Sequence, residues 1–356
     1  MMMNKTTKRL ALLLSSSMLL FSAVSYADES IPETNLEEGS SQAGEITFDG
    51  GFGNGERKGP GQGGGHGGPG GMQGNSSGAG MIESDPEIQT VLDENADKFE
   101  QFSFTDENTG ITLEYSLYIP DEYDGTEEYP LVMFIPDSTG AGLSSADIVN
   151  NYYGAAIWAS DEDQEKHASF VLVPAYTGTV TDDNWNASEQ LDATVNLIKY
   201  LAEEYNIDED RLYTTGQSMG CMSSLYLNSK YPELFAASLY VSGQWDISVL
   251  DVLENQPFFY ITAGGDEKAS GGQDEVMAMF DNDQISYSFE TWNAQDELDV
   301  QNENVESMIA DGNAANMIRF ETGSVLNGGS GMEHMASFNY AYKLSAVRDW
   351  LFEQSK

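Results

Sequence analysis

The chain has 356 residues, of which 59 are acidic and 15 basic, giving a net charge of −44 at neutral pH. A field of that sign repels nucleic acid and anionic membrane surfaces and so excludes both as partners; it suits a solvated surface or a saline medium that screens self-repulsion. A single cysteine, Cys221, excludes an intrachain disulfide.

Residues 1–27 read as a secretory signal peptide. Lys5, Lys8 and Arg9 make a basic start, Leu10 to Phe21 an apolar stretch, and Ser25-Tyr26-Ala27 a small-x-small cleavage site, with cleavage expected after Ala27. The apolar stretch falls short of the ~20 residues that span a bilayer, so a cleaved leader is expected rather than an anchor, with no stable membrane insertion afterwards. The residue immediately after the site is Asp28 rather than a cysteine, which gives no support to a lipoprotein. The expected location is outside the cell or at its surface, or the periplasm of a Gram-negative cell. Residues 28–81 are acidic and then rich in glycine, with Gly63-Gly64-Gly65 and Gly70-Gly71 among polar residues. They carry too little apolar surface to offset the entropy of ordering and are expected to form a tether. From residue 82 to 356 the composition is that of one large α/β domain.

Within that domain, Phe99 to Phe104 and Ile111 to Ile119 read as strands joined by the turn Asp106 to Gly110. Leu131 to Ile135 and Ser169 to Val173 are apolar runs that suit buried strands, with a helix expected over 148–158 between them. Leu191, Val195, Ile198 and Ala202 recur at helical spacing. Leu212 to Thr215, Ala236 to Val241 and Pro257 to Thr262 are further strands, and Ala341, Leu344, Val347 and Leu351 mark a last helix. Strands separated by helices of this length predict a mostly parallel central sheet covered by helices on both faces.

The chain is organised around Gly216-Gln217-Ser218-Met219-Gly220, a G-x-S-x-G motif with a strand before it and a helix after it. That context marks Ser218 as a candidate nucleophile, raised above the sheet edge on a sharp turn. Gly74-Asn75-Ser76-Ser77-Gly78 matches the same pattern but lies in the tether, with neither element beside it. The Met219 N–H is a candidate oxyanion donor, and a second is expected from Asp137 or Ser138 in the loop after Leu131 to Ile135, since Pro136 has no N–H. A nucleophilic serine needs a base, and there are three histidines. His66 lies in the tether and His167 at the wrong end of a strand, which leaves His334, in a loop before the final helix. The third partner is expected just beyond the strand ending at Thr262. Asp266 is placed there, with Glu267 and Asp274 as competitors. Trp185 and Trp245 follow strands on the same side and are candidate substrate-binding residues, with core packing as the alternative. Cys221 reads as a small packing residue. Asp121-Glu122 and Asp281/Asp283 lack the spacing of a calcium loop, so no metal site and no cofactor is assigned.

The motif, Tyr231-Pro232-Glu233-Leu234-Phe235-Ala236-Ala237, Val241-Ser242-Gly243-Gln244-Trp245-Asp246, and His334 ahead of Trp350-Leu351-Phe352 together resemble secreted serine esterases of the α/β-hydrolase fold. The group is the one near polyhydroxybutyrate depolymerases and feruloyl or acetylxylan esterases, and some of its relatives are described as prolyl-oligopeptidase-like peptidases. The resemblance runs from about Phe99 to the C-terminus. It implies that Ser218, Asp266 and His334 form a triad cleaving a small-molecule or polymeric ester. Two features depart from it: Pro136-Asp137 stands where relatives commonly carry His-Gly, and residues 291–327 are longer than the expected connection, a candidate lid or pocket wall. The alternatives are a peptidase of the prolyl-oligopeptidase type and a non-catalytic module that binds polymer through aromatic residues.

Overall fold

Asp85 caps the first helix of the computed structural model, which describes residues 85–356. The leader and tether expected over 1–27 and 28–81 lie outside the described residues. Helix α1 (Pro86–Asn95) opens on proline, whose fixed φ and missing N–H cost nothing at that position. Strands β1 (Glu100–Thr105) and β2 (Thr112–Tyr118) form an antiparallel hairpin. The buried Asp106 organises its turn by accepting hydrogen bonds from Asn108, Thr109 and, across the core, Asn196. The run after it forms β3 (Tyr129–Ile135).

The helix expected over 148–158 is broken into α2 (Ser145–Asn151), α3 (Tyr153–Ala156) and a 3-10 turn (Ile157–Ala159). Tyr152 is extended between the first two, at φ −115° and ψ 108°. Tertiary packing overrides helical propensity here. The break turns the Tyr152 hydroxyl toward Asp137 and lets Gly154 lie against Phe134 and Tyr342, where a Cβ would come within 2.7 Å of both rings.

Then come α4 (Asp161–Lys166), β4 (Phe170–Ala175), α5 (Gln190–Glu204), β5 (Ile207–Gln217), α6 (Met219–Lys230), β6 (Ala237–Val241), β7 (Phe258–Ala263) and α7 (Glu267–Asp283). The remainder is β8 (Tyr287–Trp292), α8 (Leu298–Ala310), β9 (Ala315–Phe320), α9 (Glu333–Lys343) and α10 (Ser345–Phe352). The nine strands form one sheet in the order β1-β2-β4-β3-β5-β6-β7-β9-β8, antiparallel at β1/β2 and β2/β4 and parallel elsewhere. Alternate side chains of one strand serve opposite cores, as a pleat requires. Val132 and Phe134 of β3 pack with α2, α9 and α10, while Leu131, Met133 and Ile135 pack with α5 and α6.

Residues 291–327, expected to be an insertion and a candidate cover, instead complete the far edge of the sheet. Strand β9 inserts between β7 and β8, and Trp292 is buried, its indole N–H donating to Gln301 of α8 at 3.0 Å. The last helix is also two, with Leu344 non-helical between α9 and α10. The break frees the carbonyl of Tyr342, which accepts from Arg348. No helix among the described residues is long and apolar enough to cross a membrane.

Arg348 and Asp163 form a two-pronged ion pair at 2.7 and 2.9 Å, with side chains only 5% and 4% exposed, which ties α10 to α4. Removing one partner of such a pair strands a buried charge, so Asp163→Ala is expected to lower unfolding stability by about 3–5 kcal/mol. Replacing both partners by apolar residues of similar volume should cost less. Urea denaturation of the two variants checks this.

Candidate active site

The site begins with crowding. Strand β5 ends at Gln217 and α6 begins at Met219, so the whole reversal falls on Ser218, held at φ 52° and ψ −114°, a conformation that L-residues rarely adopt. The turn is this tight because α6 is pressed onto β3. A Cβ on Gly220 would lie 1.9 Å from the Ile135 carbonyl oxygen, and one on Gly216 would lie 2.5 Å from the Gly220 backbone. The Ser218 N–H is secured by Val241 O of β6 at 2.9 Å.

His334 is the second residue of α9, where the sequence suggested a loop before the helix. Its Nε2 lies 2.8 Å from Ser218 Oγ and its Nδ1 2.5 Å from Asp266 Oδ2. With the proton on Nδ1, the ring donates to the carboxylate and accepts from the serine hydroxyl. Asp266 caps α7, its other oxygen accepting from the Ala269 N–H at 3.3 Å, so the helix start supports the negative charge. The two competitors point elsewhere: Glu267 is exposed, and Asp274 pairs with Arg319 at 2.7 Å. His167 stacks on Phe352 and binds Asp349, remote from Ser218 in its contacts. His66 lies outside the described residues.

Three side chains that sequence reasoning passed over hold this arrangement. Glu333 accepts from the Gly265 N–H at 3.0 Å, joining the start of α9 to the loop that carries Asp266; a Cβ on Gly265 would collide with that carboxylate. Ser337 donates to the His334 carbonyl at 2.8 Å and meets Ser242 Oγ at 2.7 Å, which fixes α9 to the end of β6. The only sequence signal was proximity to the motif residues. None of the three is set apart by type.

Ser218, Asp266 and His334 open into a cavity of about 470 Å³ lined also by Ser138, Thr179, Thr181, Asp182, Asp183, Met219, Met222, Gln244, Lys268 and Met332. Ser138 is on this wall. Asp137 is not, its side chain being turned inward and 1% exposed. The two tryptophans are also absent from the wall. Trp245 is 3% exposed in the layer with Tyr226, and Trp185 packs edge-on against it at 5.6 Å, leaving its own outer face to solvent. The indole of Trp245 thus finds its apolar partners beneath the surface, in line with the packing alternative, while Trp185 stays exposed at the rim of that layer. A larger cavity of about 680 Å³, between Asp85, Gln295, Asp296, Tyr340 and Lys343, contains none of the three central residues. Among the described residues, no cluster of three or more His, Cys, Asp or Glu side chains is placed to hold a metal ion.

A sheet of this order, a serine on the turn between strand and helix, and a hydrogen-bonded histidine and carboxylate define the α/β-hydrolase class. Residues 107–310 match the family model described as "Putative esterase", and the chain belongs to that family. It is 26% identical over 152 residues to a probable acetylxylan esterase A of Aspergillus niger, a match covering 39% of this chain and 45% of that one. With the corresponding protein of Aspergillus fumigatus it shares 31% identity over 87 residues, 22% of this chain and 24% of the relative. The matches thus span less than half the length of these curated relatives. A crystal structure of a thermostable esterase superposes with a TM-score of 0.55 at 26% identity, covering 73% of this chain and 64% of that one.

Cys221, one turn along α6 from Ser218, is fully buried, and burial pushes its thiol well above the usual range. The native protein is therefore expected to resist iodoacetamide at pH 8 and to take up one equivalent once unfolded. Rapid labelling of the folded protein would contradict this packing.

Proposed function

We propose that the protein is a serine hydrolase of carboxylic esters acting through an acyl-enzyme. The observation that carries this is the unbroken chain Ser218 Oγ, His334 Nε2, His334 Nδ1, Asp266 Oδ2, at 2.8 and 2.5 Å, beside an open cavity. Ser218 Oγ attacks the ester carbonyl carbon while His334 Nε2 takes the hydroxyl proton. Asp266 holds the ring in its tautomer and stabilises the imidazolium. The carbonyl oxygen, now anionic, is met by the N–H of Met219 and one from the Asp137–Ser138 loop. Of these two residues Ser138 is the one that lines the cavity. Collapse breaks the carbon–oxygen bond, and His334 returns its proton to the leaving alcohol. Water then attacks the acyl-enzyme, gives a proton to His334, and releases the acid as Ser218 regains its hydrogen.

The family description and the names of the curated relatives support an ester over an amide, and acetylated polysaccharide is the substrate class to test first. The lining agrees with a hydroxyl-rich alcohol, since Thr179, Thr181, Asp182, Asp183 and Gln244 all offer hydrogen-bonding groups.

Treatment with a fluorophosphonate is expected to add one adduct by intact mass, absent from Ser218→Ala. In assays on p-nitrophenyl acetate, Ser218→Ala and His334→Ala should each lower kcat by about 10⁶-fold, and Asp266→Asn by about 10⁴-fold. Cleavage restricted to aminoacyl anilides would replace the esterase reading with the peptidase one. Absence of any adduct on the folded protein, with strong retention on insoluble polymer, would favour the binding module.

Charge gives a second test. Asp182, Asp183 and Asp266 outnumber Lys268 around the cavity, within a chain of net charge −44. The p-nitrophenyl monoester of succinate, an anion, should be cleaved with a kcat/KM about tenfold or more below that of the neutral acetate at low ionic strength. The gap should narrow in molar salt. Equal rates at low salt would show that the field does not reach the site.

A further inference from the structure

The loop after β3 and the turn at Ser218 are joined by a bond between two buried side chains. Ile135 and Gly216 are partners in register at the ends of β3 and β5. Past that point the backbones diverge, one into Asp137 and Ser138, the other into Gln217 and Ser218. Gln217 Nε2 donates to Asp137 Oδ2 across this gap at 2.9 Å, with the two residues 6% and 1% exposed. Asp137 Oδ1 accepts from the Thr139 N–H at 2.8 Å, from the Thr139 hydroxyl at 2.6 Å and from the Tyr152 hydroxyl at 3.3 Å. Burial, together with the Asp137 carboxylate, pushes the Tyr152 phenol well above its ordinary range, so it remains a donor.

These four bonds come from three parts of the chain: the loop after β3, the residue before Ser218, and the break between α2 and α3. Each is charge-assisted on the acceptor side, and the three from Thr139 and Gln217 are short, at 2.9 Å or less. All the donors are neutral, so the buried carboxylate depends on every one of them. Loss of the Gln217 donor leaves Oδ2 facing a gap, and the loop must shift to cover it. Ser138 and Ser218 line the same cavity, so a shift of that loop changes the spacing between the nucleophile and the N–H groups that face the carbonyl oxygen.

We propose that Asp137 and Gln217 are positioning residues, whose buried side-chain bond sets the distance between the oxyanion-binding loop and Ser218. This rests on the serine-hydrolase reading above. It assigns the Asp137 side chain a part that the sequence assigned only to its backbone.

The test exchanges donor and acceptor. In Gln217→Glu two carboxyl groups face each other at the gap. The expected result is a fall in kcat on p-nitrophenyl acetate of about 10- to 100-fold with KM changed less than twofold, because the defect lies in transition-state geometry. In the double exchange Asp137→Asn with Gln217→Glu, the new amide donates to the new carboxylate and its carbonyl still accepts from Thr139 and Tyr152. That variant is expected to regain kcat to within about threefold of the parent. Gln217→Leu, which removes the donor without adding charge, serves if Gln217→Glu does not fold, and should show the same loss of kcat at constant KM.

Melting temperature is followed throughout. Parent-like kcat in either single variant overturns the proposal. So does a loss of kcat that only mirrors the unfolded fraction, or a double exchange that recovers melting temperature without kcat. Fluorophosphonate labelling of the parent separates this from the underlying reading. A parent that is labelled while the variants keep full kcat sinks the positioning role alone, and a folded parent that takes no label sinks both.

Discussion

The close approach of α6 to the end of β3 is the constraint on which the rest of the site depends. With only a hydrogen at Gly220, the first turn of α6 rests on the Ile135 carbonyl, a contact no side chain could tolerate. That contact forces the positive-φ conformation at Ser218, and its hydroxyl opens into the cavity. It also sets Met219 and Ser138 on the same cavity wall. The strain at Ser218 is held by its surroundings: the Val241 carbonyl takes its N–H, and Gly243 packs so closely on Cys221 and the Ser218 carbonyl that a Cβ would lie 2.7 Å from each.

His334 and Asp266 come from far along the chain, and the sheet brings them to Ser218. Strand β7 ends at Ala263, two strands from β5, and β9 beside it leads into the segment before α9. The distance between the Asp266 loop and the start of α9 is then fixed by Glu333 on Gly265, and that between α9 and β6 by Ser337 on Ser242. The imidazole thus rests on a helix whose first turn is tied on two sides. Side chains held in this way lose little freedom when a substrate binds, which is the physical content of preorganisation.

Legibility in the sequence followed how local each signal was. The motif at Ser218 could be read because its strand, glycines and helix lie within a few residues of one another. His334 could be read because the alternatives were only His66 and His167, and Asp266 because it follows a clear strand. The central strands were visible as apolar runs. Strand β9 was not, since Asn316 and Arg319 interrupt its pattern; Arg319 answers to Gln273 and Asp274, partners distant in sequence. The breaks at Tyr152 and Leu344 were hidden as well: Tyr152 answers to Asp137 on another loop, and Arg348, which takes the freed Tyr342 carbonyl, is held in place by the distant Asp163. For Trp245 the sequence placed the residue after the correct strand but could not say which way the indole turns. The aromatic rings of Tyr226 and Trp185 decide that.

Charge and reaction fit together in one further respect. For the proposed reaction, a neutral ester approaching the cavity is hardly opposed by the field of a protein at −44. The acid released from an acyl-enzyme ionises at neutral pH, its ordinary pKa being near ~4. It then faces Asp182, Asp183 and Asp266, with Lys268 already engaged by Asp183 at 2.6 Å. For the proposed reaction, the same acidic surface that leaves the substrate indifferent drives the product outward and disfavours its return. Bulk salt weakens this effect at the rim more than at Asp266, which is 7% exposed and sits behind the histidine. The directional push should therefore survive ionic strengths at which the outer surface is fully screened.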